Sequence, residues 1–320
     1  MLRSILIYLS KAEWVRQIVT NWSLSWRAAS RFVAGEKLED AIKAVEKLNS
    51  IGINATIDHL GENTTTPEEA RRATKNIEEA LETIQESGVR SGVSIKLTQI
   101  GLALNEQLCA ENLRQILEVA KRCNNYVRID MEDSPFVEAT LRVYRDMRDK
   151  YEFINTGVVI QSYLYRSEED IRLLSVNGTN VRLCKGAYKE PPEVAFPKKG
   201  DVDTNFDLLT KMLIDNSISM GSPEISTDGK FPPIPAIASH DPDRLAFAKE
   251  YASKVKLPKT AIEFQMLYGI RRGLQEQTFL EGYPVRVYVP FGTEWYPYFM
   301  RRLAERPANL WFFISNFFRK

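Results

Sequence analysis

Between residues 53 and 292 the chain repeats one unit: a short, β-branched apolar run, then a stretch with apolar residues at three- and four-residue spacing. The runs are INATIDHL (53–60), GVSIKLTQIG (92–101), YVRIDME (126–132), TGVVIQSYL (156–164), NVRLCKGAY (180–188), IPAIASHD (234–241), TAIEFQML (260–267) and PVRVYVPFG (284–292). Helical patterns such as ENLRQILEVAKRC, SPFVEATLRVYRDMRDK and PDRLAFAKEYAS follow them. Near-continuous apolar strands are those of a parallel sheet covered on both faces. Eight strand–helix units in succession predict a (β/α)8 barrel. The competing architecture, an open doubly wound sheet, usually needs fewer units, and no glycine-rich phosphate loop follows the first run. The 320 residues, 44% of them hydrophobic, suit the barrel in length and in core-forming capacity.

Residues 1–50 read as an N-terminal helical arm, carrying KAEWVRQIVTNW and KLEDAIKAVEKLNSIG. Residues 51–320 read as the barrel with a C-terminal helix. The apolar, aromatic NLWFFISNFFRK is expected to dock on the barrel, with a membrane-surface or partner contact as the alternative. No run approaches the roughly 20 apolar residues of a bilayer span. No signal-peptide pattern opens the chain. The cysteines Cys109, Cys123 and Cys184 show no metal-ligand spacing, which points to a reducing, cytoplasmic setting without structural zinc. His59 and His240 are the only histidines, so a multi-histidine metal site is ruled out. The 43 basic and 42 acidic residues nearly cancel, which argues against a general nucleic-acid binder. The loop KEPPEVAFPKKGDVD (189–203) is expected to be a mobile cover.

Polar residues intrude late in these runs, where a barrel places its active site. Glu62 follows the first strand, and Lys96 lies in the second. Asp130 ends the third and Gln161 the fourth, and Arg182 and Lys185 lie in the fifth and its exit. His240 ends the sixth, Glu263 and Gln265 lie in the seventh, and Tyr288 lies in the eighth. No serine–histidine–acid motif or P-loop is present. Cations dominate the set (Lys96, Arg182, Lys185, Arg301, Arg302), with Asp130 and Glu62 as internal counter-charges. Such a site holds carboxylates or phosphates. In YPYFMRRLAER (296–306), Tyr298 shares a helix face with Arg301 and Arg302, and Glu305 is placed to pair with either arginine. In CKGAYKE, the small Gly186 and Ala187 let a ligand approach the backbone. A Schiff-base aldolase using Lys96 or Lys185 and a non-catalytic scaffold are the competing functional classes.

The ordered set SIKLTQIG, VRIDME, VRLCKGAY, EFQMLYG, VYVPFG and YPYFMRRLAERPAN, with DHLGE at 58–62, resembles the proline dehydrogenase family over roughly residues 50–315. The size is similar to the bacterial monofunctional form rather than the fusion with an aldehyde dehydrogenase. The resemblance implies a distorted (β/α)8 barrel with noncovalent FAD. It implies oxidation of L-proline to Δ1-pyrroline-5-carboxylate, the first step of proline degradation to glutamate, with electrons passing to a quinone at the membrane. By motif, Arg301 and Arg302 clamp the proline carboxylate, with Lys96 as a third cation. Tyr288 and Tyr298 wall the ring, Asp130 orients the network, and Glu62 and Glu305 hold the arginines. Arg182 lies beside the flavin N5 locus, with Met131 and Gln161 lining the isoalloxazine. Lys185, Gly186, Ala187, Ser239 and His240 contact the rest of the FAD. One departure stands out: the family commonly has Asn after the sixth-strand His, and ASHDP has Asp241.

Overall fold

The computed structural model describes residue 26, residues 29–61 and residues 64–305, without the side chains at 304 and 305. The helix expected at 11–22, Glu62, the side chain of Glu305 and the C-terminal NLWFFISNFFRK lie outside the described residues.

Eight parallel strands form a closed barrel in chain order. They are β1 (Asn54–His59), β2 (Ser91–Lys96), β3 (Val127–Asp130), β4 (Thr156–Gln161), β5 (Val181–Cys184), β6 (Pro235–Ala238), β7 (Glu263–Leu267) and β8 (Val285–Phe291). β8 closes on β1, in register from Asn54↔Arg286 to His59↔Phe291. The helices are α1 (Leu38–Ser50), α2 (Pro67–Ser87), α3 (Glu106–Arg122), α4 (Ser134–Asp149), α5 (Ser167–Ser175), α6 (Lys199–Ser219), α7 (Pro242–Lys254), α8 (Arg272–Leu280) and α9 (Trp295–Glu305). The (β/α)8 architecture is therefore the one the alternation predicts. Several strands stop short of their apolar runs. Pairing of β2 with β3 ends at Lys96↔Asp130, and LTQIG leaves the sheet as turns, with Thr98 N donating to Glu132 Oε1 at 3.0 Å.

Local chemistry sets the helix ends. α2 starts at a capping box: Thr66 Oγ1 accepts from Glu69 N at 3.2 Å while Glu69 Oε2 accepts from Thr66 N at 3.3 Å. Pro67 occupies its first turn, and Gly88 ends it in the left-handed region at φ 68°. Thr66→Ala is expected to lower unfolding stability by about 1 kcal/mol, read as a shift in denaturation midpoint at unchanged slope.

The loop at 189–203 differs from the expected mobile cover. α6 begins at Lys199, inside it, and the rest is strapped to the loop after β4. Leu164 and Ala195 form an antiparallel bridge, and Phe196 N donates to Tyr163 O at 2.8 Å. Glu190 reaches across to the start of α4, accepting from Ser134 N at 2.7 Å and from Ser134 Oγ at 2.6 Å. A carboxylate at a helix N-terminus satisfies orphan donors and complements the dipole. Glu190 and Asp203 of this loop thus serve fixed pairings, while Lys189, Glu193, Lys198 and Asp201 are exposed.

The apolar core lies between the strands and the surrounding helices, with Ile57, Val93, Ile95, Ile129, Leu183 and Val287 all buried. A second apolar cluster seats α9: Trp295, Tyr296, Phe299, Met300 and Leu303 pack with Phe32, Val33, Leu60 and Ile270. The barrel interior is different in kind. Alternate residues of six strands are polar and mostly buried: Thr56 and Asp58, Ser94 and Lys96, Arg128 and Asp130, Arg182, Glu263 and Gln265, Arg286 and Tyr288. Successive strand side chains face opposite sides, so this period of two turns one polar row from each of these strands inward.

Candidate active site

Hydrogen bonds between strands that are not neighbours can run only through the barrel interior, and they locate the site. Arg182 of β5 donates from Nη1 to Asp130 Oδ1 of β3 at 2.8 Å and from Nη2 to Ser94 Oγ of β2 at 3.1 Å. Its Nε donates to Gln265 Oε1 of β7 at 2.5 Å. Tyr288 Oη of β8 donates to Asp130 Oδ2 at 2.7 Å, and the Arg182 guanidinium lies 5.5 Å from the Tyr288 ring centre. Lys96 Nζ sits 3.2 and 3.1 Å from the two oxygens of Asp58 and 3.5 Å from Tyr288 Oη. Lys96, Asp130, Arg182 and Tyr288, all singled out in the sequence, therefore belong to one network at the C-terminal ends of the strands.

The electrostatics follow from burial. Removal from water pushes the Asp130 carboxyl above its ordinary range, against the opposing pull of Arg182 and Lys96. Burial, with the nearby Asp130 and Asp58 carboxylates, holds the Tyr288 phenol well above its ordinary value. Tyr288 is thus a fixed hydrogen-bond donor at neutral pH and does not ionise.

The residues expected to hold a cofactor lie at the exits of β3 to β6. Met131 and Gln161 are buried, and Gln161 Nε2 donates to Glu132 O at 2.8 Å. Gly186 has φ +121°, and a Cβ there would lie 2.2 Å from the Tyr163 ring, so the backbone passes close and bare at this point. Ala187 is exposed beside it. Lys185 Nζ is held by Asp203 Oδ1 at 2.5 Å and by Asp241 Oδ2 at 2.7 Å. Burial is the largest single influence and works to raise both carboxyls, but the hydrogen bonds and charges of Lys185 and Lys199, with the Asp243 N–H at Asp241, together outweigh it and leave both below the usual range. Asp241 also caps α7, accepting from Asp243 N at 3.2 Å, and its own N donates to Ser239 Oγ at 3.1 Å. An Asn there would keep the cap and lose the charge facing Lys185, which gives the departure at 241 a physical meaning. His240 Nε2 accepts from Leu267 N at 2.9 Å, tying the β6 exit to β7. Gly186 is bare because the Tyr163 ring fills the place of a Cβ, and a flavin nucleotide would fit this exit beside the small Ala187 and Ser239, its phosphates sharing Lys185 with Asp203 and Asp241.

Tyr298, Arg301 and Arg302 lie on α9, which leaves β8 directly. Tyr298 is buried, both arginines are half-buried, and the Arg302 guanidinium stands 5.1 Å from the Tyr298 ring centre. The shared face expected from their spacing is present for Tyr298 and Arg302. Glu62 and the Glu305 side chain, expected to brace them, lie outside the described residues.

Sequence reasoning missed Asp58, Ser94, Arg128 and Arg286. Each stands two residues from another polar residue in its strand, and that spacing was the available signal. Arg128 is 2% exposed and donates to the carbonyls of Val158 at 3.0 Å and Asn180 at 2.8 Å. Arg286 pairs with Glu263 through Nε at 2.9 Å and Nη2 at 3.0 Å, near the floor of the barrel.

The family model described as proline dehydrogenase matches residues 41–314. Proline dehydrogenase 1 of Bacillus subtilis strain 168 is 42% identical over 320 residues, covering 100% of both chains. Proline dehydrogenase of Deinococcus radiodurans is 38% identical over 294 residues, covering 91% of this chain and 90% of that protein. The crystal structure of proline utilization A from Bdellovibrio bacteriovorus, inactivated by N-propargylglycine, superposes with a TM-score of 0.78 at 28% identity. It is matched over 88% of this chain and 33% of that one, so this chain spans about a third of that longer protein. On the family model over residues 41–314 and the identity over the full chain, this chain belongs to the proline dehydrogenase family.

Proposed function

We propose that this chain oxidises L-proline to Δ1-pyrroline-5-carboxylate with FAD, the first step of proline degradation to glutamate, and delivers the electrons to a quinone. The observation that carries the reading is the cross-barrel network joining Lys96, Asp58, Tyr288, Asp130 and Arg182 at the barrel mouth. It fixes two cations and the Tyr288 ring at the mouth, where a small ring carrying a carboxylate would sit, with no nucleophile poised for covalent chemistry.

Forming the product requires loss of a hydride from a ring carbon and a proton from the ring nitrogen, which leaves a C=N bond. FAD, when bound, supplies the hydride acceptor and the route for electrons. The chain supplies binding, orientation and field. Arg301 and Arg302 hold the carboxylate with bidentate donors, and Lys96 adds a third cation. Tyr288 and Tyr298 wall the ring. Asp130 takes the Tyr288 proton donor on one oxygen and Arg182 on the other, so both are aimed by one carboxylate. Arg182 presents a fixed positive charge where negative charge gathers on reduction. Met131, Gln161, Lys185, Gly186, Ala187, Ser239 and His240 hold the cofactor, while Glu62 and Glu305 brace the arginines. Residues 1–50 act as an arm to the barrel at 51–320.

The aldolase reading is disfavoured by the partners of the two lysines. Both amines are tied into ion pairs and are not presented to a carbonyl. Lys96 has Asp58, and Lys185 has Asp203 and Asp241. No helix among the described residues is long and apolar enough to cross a membrane. A cytoplasmic protein making peripheral contact with the membrane through its terminal segments would reach a membrane quinone. The deciding experiment records the visible spectrum of the purified protein while proline and an artificial electron acceptor are added. Flavin bands that bleach with proline, with matching dye reduction, are expected; a colourless protein inert to proline would refute the reading.

A further inference from the structure

Arg182 is set from above by Asp130 and from below by Gln265. The lower support is unusual in its chemistry. Gln265 Nε2 donates to Glu263 Oε1 at 2.5 Å, and Gln265 Oε1 accepts from Arg182 Nε at 2.5 Å. The amide has one allowed orientation here. A carboxylate can only accept, so the amide nitrogen must face Glu263; a guanidinium can only donate, so the oxygen must face Arg182. Glu263 is held in turn by Arg286 at 2.9 and 3.0 Å, and Arg286 is anchored to Ala55 O at 2.8 Å and Gly229 O at 2.7 Å. Glu263 is 0% exposed, Arg286 2% and Gln265 4%, so water does not compete for these bonds. The result is a chain of fixed groups from the floor of the barrel to its mouth.

We propose that Gln265, oriented by Glu263, is a positioning residue that locks the Arg182 guanidinium for flavin reduction without placing a second carboxylate beside it. The inference rests on the flavin-dependent reading above. Three of the five N–H groups of Arg182 are directed by Asp130, Ser94 and Gln265, and among these Asp130 alone carries charge. A carboxylate at 265 would supply the same acceptor and add a second negative charge to the one Asp130 already brings. A neutral amide supplies the acceptor alone. Its second contact keeps Glu263 occupied on the floor side, so that negative charge stays one residue further from the mouth.

The test uses the flavin-loaded full chain with two substitutions. Gln265→Leu removes the acceptor. The expected result is a fall in kcat on the order of tenfold or more, with KM for proline changed less than about threefold, because the arginines of α9 are untouched. Gln265→Glu preserves shape. While the introduced carboxyl is protonated it mimics the amide, its C=O accepting from Arg182 and its O–H donating to Glu263. Glu263 on one side opposes ionisation of the introduced carboxyl, while Arg182 on the other side and Arg286 behind Glu263 favour it. As pH rises through that ionisation, the reduction potential of the bound flavin is expected to fall more steeply than in the wild type. Flavin reduction is expected to slow over the same range, and to return to near the wild-type rate at lower pH.

A merely structural role predicts lower melting temperatures with wild-type potential and kcat in both variants, and that outcome overturns the proposal. If Gln265→Leu does not retain flavin, the pH dependence of the Gln265→Glu potential decides alone: parallel to wild type refutes, steeper supports. A wild-type protein without flavin or proline-dependent reduction would refute the underlying reading before any variant is compared.

Discussion

Arg302→Ala is expected to raise KM for proline by about 10- to 100-fold, with flavin still bound at one per chain. The magnitude follows from losing charge-assisted hydrogen bonds to a carboxylate, about 1.5–3 kcal/mol, where about 1.4 kcal/mol is tenfold. The fold is expected to tolerate the change, because α9 is held by its other face. Trp295, Tyr296, Phe299, Met300 and Leu303 are buried in their own apolar cluster, and Trp295 Nε1 donates to Glu36 Oε1 at 3.2 Å. Arg301→Ala is expected to behave similarly. Arg302→Lys keeps the charge and loses the planar fork, so its KM falls between wild type and Ala. Steady-state kinetics with flavin absorbance per mole of chain reads all of these. Wild-type kinetics in Arg301→Ala and Arg302→Ala would show that α9 is a solvated face and not a carboxylate clamp.

The largest loss of stability is expected far from the mouth. Arg286→Met leaves Glu263 as an unpaired carboxylate inside the barrel, with a cost of about 3–5 kcal/mol. The pair is shielded almost completely, with side-chain exposures of 3% and 0%. Replacing both partners, as Arg286→Met with Glu263→Met, removes two charges that burial penalises and is expected to recover most of the loss. Chemical denaturation of the single and double variants measures this. A double variant no more stable than Arg286→Met would mean that Arg286 acts through its bonds to Ala55 and Gly229 rather than through the ion pair. The double variant also separates stability from catalysis. It no longer orients Gln265, so flavin reduction should stay slow although the fold is restored.

Much of this molecule was legible in the chain. Eight β-branched runs with intervening helical patterns specified the barrel, because a strand buried on both faces has few other solutions. Four of the residues picked from late strand positions, Lys96, Asp130, Arg182 and Tyr288, meet in one network, because parallel closure brings all strand C-termini to one end. Helix starts such as Thr66-Pro67 followed by Glu69 were local chemistry and needed no tertiary contact. The fixed contacts of the loop at 189–203 were not legible for the converse reason. Its charges resemble solvated composition until Ser134, Lys185 and Asp241 are brought beside Glu190 and Asp203 from elsewhere in the chain.

The chain order of apolar and polar residues determined which side chains turn inward, since strand geometry alternates them two by two. It could not determine what each inward charge would meet. Asp58 pairs with Lys96, Glu263 with Arg286, and Arg182 is divided between Asp130, Ser94 and Gln265. Those partners lie 38, 23, 52, 88 and 83 residues apart in sequence. Only closure of the barrel, with its fixed strand register, brings them within hydrogen-bond distance and away from water, where a misplaced charge would cost more than the fold can lose.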